Sequence, residues 1–157
     1  MDDAGYYKWT PRFLRMAREV AGWSKDPSTK VGAVIVRPDR TIASLGYNGF
    51  PRGVADTSEI YKDRDKKLRR VVHAELNAIL NAREPLKDCT MYVWPFQPCA
   101  HCMAAIIQSG ITRVVTIRSD PAQFERWRED FIEARQMAHD AAVRITVHYP
   151  ANIESAI

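Results

Sequence analysis

The sequence lacks long apolar runs, has little cysteine or glycine, and carries little excess of either charge. No stretch approaches the ~20 consecutive apolar residues that span a bilayer, so no membrane partner is expected. The opening MDDAGYYKWTPRF is acidic and aromatic rather than basic and then apolar. It does not read as a secretory leader, and the protein is expected to stay where it is made, in the cytoplasm. With 7 Gly and 9 Pro in 157 residues, collagen-like and low-complexity classes are excluded. Lys+Arg 23 against Asp+Glu 19 leaves +4. That surplus tolerates an anionic ligand but does not by itself argue for nucleic acid, which calls for a concentrated basic face, and a nucleic-acid partner is not expected. The three cysteines, Cys89, Cys99 and Cys102, are an odd number, and two of them form C-x-x-C. In a chain without a leader that spacing points to metal or redox chemistry before disulfides.

What is present is an ordinary globular composition, 46% hydrophobic and 27% charged. No linker or repeat interrupts it, so residues 1–157 read as one domain. Thr10 as N-cap and Pro11 at the first helical position predict a helix to Trp23, with Phe13, Leu14, Ala17, Val20 and Ala21 inward. Val31–Val36 and Thr41–Tyr47 flank Pro38-Asp39 as an antiparallel hairpin, and the nearly all-apolar first run predicts burial on both faces. A polar segment follows from Asn48 to about Arg70. A helix is expected from near His73, with Leu76, Ile79 and Leu80 as its buried stripe. Thr90–Trp94 reads as a strand, and Cys99–Ser109 as a helix closed by Gly110. Arg113–Ile117 is another strand. Asp120 and Pro121 start a helix whose apolar residues are Phe124, Trp127, Phe131, Ala134 and Ala138, and Val143–His148 is the last strand. A hairpin followed by alternating helices and strands predicts an α/β fold, a mixed sheet with helices on both faces.

The strongest chemical signal is His73-Ala74-Glu75 followed by Pro98-Cys99-Ala100-His101-Cys102. One imidazole and two thiolates make a three-ligand zinc set, and a missing fourth protein ligand marks a catalytic rather than a structural site. A water in that position has its pKa lowered to roughly 7. Both cysteines fall in the first turn of a predicted helix, whose free N–H groups favour thiolates. Glu75, two residues past His73, reaches the same cavity without binding metal and is placed to shuttle protons. The pair H-x-E and P-C-x-x-C matches the signature of zinc-dependent base deaminases. A redox C-x-x-C would leave His73 and Glu75 without a role. A structural zinc would need His101 or Cys89 as a fourth ligand. His101, between the two cysteines, is expected to point away, and Cys89 to be a small buried hydrophobe.

Beyond the zinc motif, SKDPSTKVGAVIV from Ser24, GYNGFPRG from Gly46, VVHAELNAIL from Val71 and PCAHCMAAIIQSGI from Pro98 resemble the deoxycytidylate (dCMP) deaminase branch of the cytidine deaminase superfamily. The resemblance implies a three-layer α/β/α fold with a five-stranded sheet. It also implies one catalytic Zn2+ per chain and hydrolysis of dCMP to dUMP and ammonia, which supplies thymidylate synthesis. Carried over, His73, Cys99 and Cys102 hold the zinc, Glu75 moves protons, Asn48 holds the sugar, and Ala74 and Pro98 line the substrate site. Ser24 and Lys25 match a segment near the nucleotide phosphate, although a plain surface loop fits them equally. The Gly46–Gly53 stretch resembles a region where some relatives bind dCTP or dTTP as effectors. Its other reading is a plain turn with Gly49 and Gly53 at positive φ.

Two features depart from the family pattern. WPFQPC carries what looks like one extra residue before the first zinc cysteine, so Trp94, Phe96 and Gln97 are expected to reshape the base pocket. The basic run Tyr61 to Arg70 is open to two readings, recruitment of a nucleotide phosphate or a solvated loop. Other substrates on the same chemistry are CMP, a modified dCMP, guanine, a riboflavin-pathway pyrimidine and tRNA adenosine; a non-catalytic binding module is a further class. GYNGFPRG argues against the other bases and an intact Glu75 against the binding module. Trp9, Trp127, Phe131 and Tyr6/Tyr7 exceed what a small core needs, so a homo-oligomer is expected.

Overall fold

The computed structural model describes residues 3–154. Its centre is a five-stranded sheet ordered β2-β1-β3-β4-β5. The strands are β1 (Gly32–Val36), β2 (Ile42–Tyr47), β3 (Thr90–Trp94), β4 (Arg113–Ile117) and β5 (Arg144–His148). β1 pairs antiparallel with both β2 and β3, whereas β3, β4 and β5 run parallel. Every residue of β1 is buried, as its unbroken apolar run predicts for a central strand covered on both faces.

Helices cover both faces. α1 (Asp3–Ala21) and α8 (Pro150–Glu154) lie on one side. There Phe13, Leu14, Ala17, Val20 and Ile153 pack on Val34, Tyr92 and Val115. On the other side are α4 (Ala74–Asn81), α5 (Ala100–Gln108) and α7 (Arg128–Asp140). Their small and apolar residues Ala74, Ala78, Met103, Ile106, Ala134 and Ala138 pack on Ala33, Ile35, Met91 and Val114. No helix among the described residues is long and apolar enough to cross a membrane.

Several local expectations need correction. α1 begins well before Thr10, and Pro11 lies inside it. Trp9 stacks on Phe13 one turn later, with centroids 5.7 Å apart, and on both sides of the proline the helix packs against the core through Trp9, Phe13 and Leu14. Thr10 is therefore no cap, and its buried hydroxyl has no hydrogen-bond partner among the described residues. The basic run is not a loop: α2 (Ser58–Lys62) and α3 (Arg64–Arg70) occupy it, and Asp63 caps α3 by accepting from the Lys66 N–H. In α4 the buried residues are Ala74, Glu75 and Ala78, whereas Leu80 is exposed. The reason is Gly46 on β2. A Cβ there would stand 2.4 Å from the Ala78 nitrogen and 2.6 Å from the Ala74 carbonyl oxygen, so α4 lies directly on the strand and only alanines fit. Gly46 is thus a strand residue, and of Gly49 and Gly53 only the latter has positive φ. Trp127 breaks the predicted last long helix into α6 (Pro121–Arg126) and α7.

Candidate active site

His73 and Cys99 are the residues immediately before α4 and α5, each with extended backbone. Capping positions turn their side chains out of the helices and toward each other. Cys102 sits on the first turn of α5, and its N–H donates to the Cys99 Sγ. The His73 Nδ1 lies 3.5 Å from the Cys99 Sγ and 3.4 Å from the Cys102 Sγ. A tetrahedral ion with bonds of about 2.3 Å to sulfur and about 2.0 Å to nitrogen would hold such atoms about 3.5 Å apart. The three ligand atoms, all within 4.8 Å of one another, therefore fit zinc in spacing as well as in chemistry. Among the described residues no fourth His, Cys, Asp or Glu joins the cluster. His101 is exposed, and Cys89 is buried in the core.

The electrostatics agree. The Cys102 hydrogen bond, helped by His73, holds the Cys99 thiol down to about 4 against the opposing effect of burial. Cys102 is pushed up by its bond to Cys99 and by burial. The hydrogen bond to Cys99 raises His73, and burial opposes that. Burial raises Glu75, which is 3% exposed, while nearby His73 pulls the other way. At the start of α5, the Ala100 N–H donates to the Asp130 carboxylate from α7, tying the zinc helix to its neighbour.

These groups face a cavity of about 210 Å³. His73, Ala74, Glu75 and Cys99 line its inner end, Val31, Phe96 and Phe131 form apolar walls, and Asn48 borders it. Phe96 and Phe131 have centroids 6.0 Å apart. The Asn48 Oδ1 accepts from the Val31 N–H, and its Nδ2 donates to the Thr29 carbonyl. Asn48 thus holds the 29–31 segment in the wall, and each end of its amide keeps capacity for one more bond.

Ser24, Lys25 and Pro98 are not part of the lining. Ser24 is buried and donates to the Asn48 carbonyl, Lys25 is exposed and pairs with Asp56, and Pro98 is buried before the Cys99 cap. Of the unusual WPFQPC segment, Phe96 and the terminal Cys99 line the cavity, whereas Trp94, Pro95, Gln97 and Pro98 do not. The Gln97 amide is buried and turned the other way, donating to the Phe131 carbonyl and accepting from the Arg135 Nε. Sequence reasoning missed a whole wall, Gln123, Arg126 and Trp127, which the α6–α7 break brings in. It also missed Asp26, whose carboxylate accepts from the Ser28 and Thr29 N–H groups and from Lys67. The Asp26-Pro27-Ser28 stretch carried a turn signal that could have found it.

Residues 7–118 match the family described as the cytidine and deoxycytidylate deaminase zinc-binding region. The chain belongs to this family. It is 43% identical over 139 residues to an uncharacterized deaminase in the luxG 3′ region of Aliivibrio fischeri, covering 88% of this chain and 92% of that one. It is 47% identical over 120 residues to a probable deoxycytidylate deaminase of Caenorhabditis elegans, covering 73% of this chain but only 59% of that protein's length. In fold it is similar to a dCMP deaminase from the cyanophage S-TIM5 solved with dCMP and dUMP. The TM-score is 0.70 at 19% identity, over 94% of this chain and 98% of that one. The cluster of His73, Cys99 and Cys102 has the spacing and chemistry to hold the zinc that this family of deaminases binds.

Proposed function

We propose that the chain hydrolyses dCMP to dUMP and ammonia. The observation that carries this reading is a three-ligand zinc set opening on a cavity that also holds a buried carboxylate, Glu75. Relatives named deoxycytidylate deaminase at 41–47% identity support the choice of base and phosphate. Zinc held by His73, Cys99 and Cys102 supplies a water acidified to near neutrality. The chain's own residues do the rest. Val31, Phe96 and Phe131 sandwich the ring and keep bulk water out. Glu75 starts as the carboxylate, takes a proton from the attacking water, which its burial helps it hold, and gives that proton to ring N3. A second proton from the same water then passes to the departing amine. The C4–N4 bond breaks as C4=O forms, and ammonia leaves. The spare bonding capacity of Asn48 serves a sugar hydroxyl, since an unpaired buried hydroxyl costs ~1–3 kcal/mol.

Residues 1–157 act in this reading as one domain, in the cytoplasm. Self-association is part of it, with a changed basis: Phe131 is buried and Trp127 lines the cavity, so neither is a spare surface aromatic. The Tyr6 and Tyr7 side chains lie outside the described residues. Trp23, Leu80, Ile132 and Tyr149 are among the exposed apolar groups that support an oligomer, which sedimentation would size. A dCTP or dTTP effector remains assigned to the 46–53 stretch, tested by assay with each nucleotide. For the central step, Glu75→Gln keeps its zinc and loses ~10²–10⁴-fold in ammonia release from dCMP. Activity surviving that change would refute the proton shuttle.

A further inference from the structure

We propose that Arg64 and Arg126 clamp the phosphate of the substrate and thereby set the preference for a nucleotide over a nucleoside. This rests on the dCMP reading above and names the residues that would enforce it. The inner end of the cavity is formed by the buried or half-buried His73, Ala74, Glu75 and Cys99. Arg64 of α3 and Arg126 of α6 line the same cavity and are exposed, which places them at its mouth. Neither guanidinium makes an ion pair or hydrogen bond with another described residue.

The other cation of the lining is already committed. Lys67 lies 3.0 Å from Asp26, with the two side chains only 14% and 4% exposed. That pair is neutral and builds the wall, so the mouth carries two uncompensated guanidinium charges. A phosphomonoester carries about −1.5 to −2 at pH 7. Planar guanidinium forks bind phosphate oxygens in bidentate fashion and, unlike lysine, are always charged. Ser24 and Lys25, the phosphate candidates suggested by resemblance, do not line the cavity, and Lys25 is neutralised by Asp56 at 2.7 Å. Arg126 and its neighbour Trp127 lie beyond residues 7–118, the part of the chain matched to the family.

The test uses Arg64→Gln, Arg126→Gln and the double variant, each alone and in a Glu75→Gln background where ligand is not consumed. Calorimetry measures binding of dCMP and of deoxycytidine in that background, and ammonia release measures kcat/KM with Glu75 intact. The dCMP-to-deoxycytidine preference should fall about tenfold to a hundredfold for each arginine lost, chiefly in KM. Inorganic phosphate should compete with dCMP in the wild type and lose that competition in the double variant. If the wild type prefers dCMP and all three variants keep that preference, the clamp is wrong while the dCMP reading stands. A wild type that shows no preference for dCMP over deoxycytidine overturns both.

Discussion

At the residue scale the site is built from capping positions. His73 and Cys99 can serve as ligands because each is the last non-helical residue before a helix, where a side chain turns outward and the first N–H groups are unpaired. Free of metal, the two thiols divide one proton unequally: Cys99 is held low and Cys102 high by the bond between them. Zinc requires both as thiolates and His73 neutral, so metal uptake releases protons. Apparent zinc affinity should therefore fall as pH drops from 8 to 6, by about tenfold per pH unit for each proton released. Competition with a chelator across that range measures it, and a flat profile would mean that the ligands are already deprotonated before zinc arrives. The ligand set and Glu75 were legible in the sequence because two spaced motifs must agree. Asn48 was legible as a cavity residue, but its backbone bonds to the 29–31 segment were not, because spacing does not reveal an amide's partners.

At the element scale β3 and β4 have the boundaries that their apolar runs and flanking turns indicate. α5 starts after Cys99, and Gly110 follows its end at φ 85°, where a left-handed residue favours glycine. Misreadings arose where tertiary contacts outweigh local signals. Thr10-Pro11 resembles a helix start, yet α1 packs on the core on both sides of it, through Trp9, Phe13 and Leu14. α3 has no buried residue at all, so no apolar period could announce it. In α4 the leucines suggested the buried stripe, but the close approach to Gly46 selects alanine. That contact makes a prediction. Gly46→Ala must push α4 off the sheet and should destabilise the protein by about 1–3 kcal/mol, as overpacking does. Because α4 carries Glu75 and follows His73, the variant should also bind zinc more weakly. Denaturant unfolding and chelator competition check the two effects, and unchanged stability would mean that the helix shifts freely.

At the scale of the whole molecule, the sheet presents the N-termini of α4 and α5 side by side, while α3 and α6 close over the cavity from different parts of the chain. The Trp127 break and the return of α6 and α7 could not be read from periodicity, since Phe124, Phe131 and Ala134 keep helical spacing across it. Global stability should respond to His148 at the sheet edge. Burial lowers its pKa from 6.5 in the folded protein, so just below that pH the unfolded chain binds a proton that the folded one refuses. Stability then rises with pH in that window and falls on acidification below about 6.5. Replacing His148 by Asn should flatten the slope of unfolding free energy between pH 7 and 5, and an unaltered slope would assign it to other groups.

The proposed chemistry depends most on the ion that His73, Cys99 and Cys102 are arranged to hold. The direct measurement is zinc per chain in the purified protein alongside dCMP deamination, before and after chelation and again after zinc is restored. About one zinc per chain is expected, with activity lost on its removal and regained on its return. A chain stripped of metal that still releases ammonia from dCMP at the original rate would contradict the account.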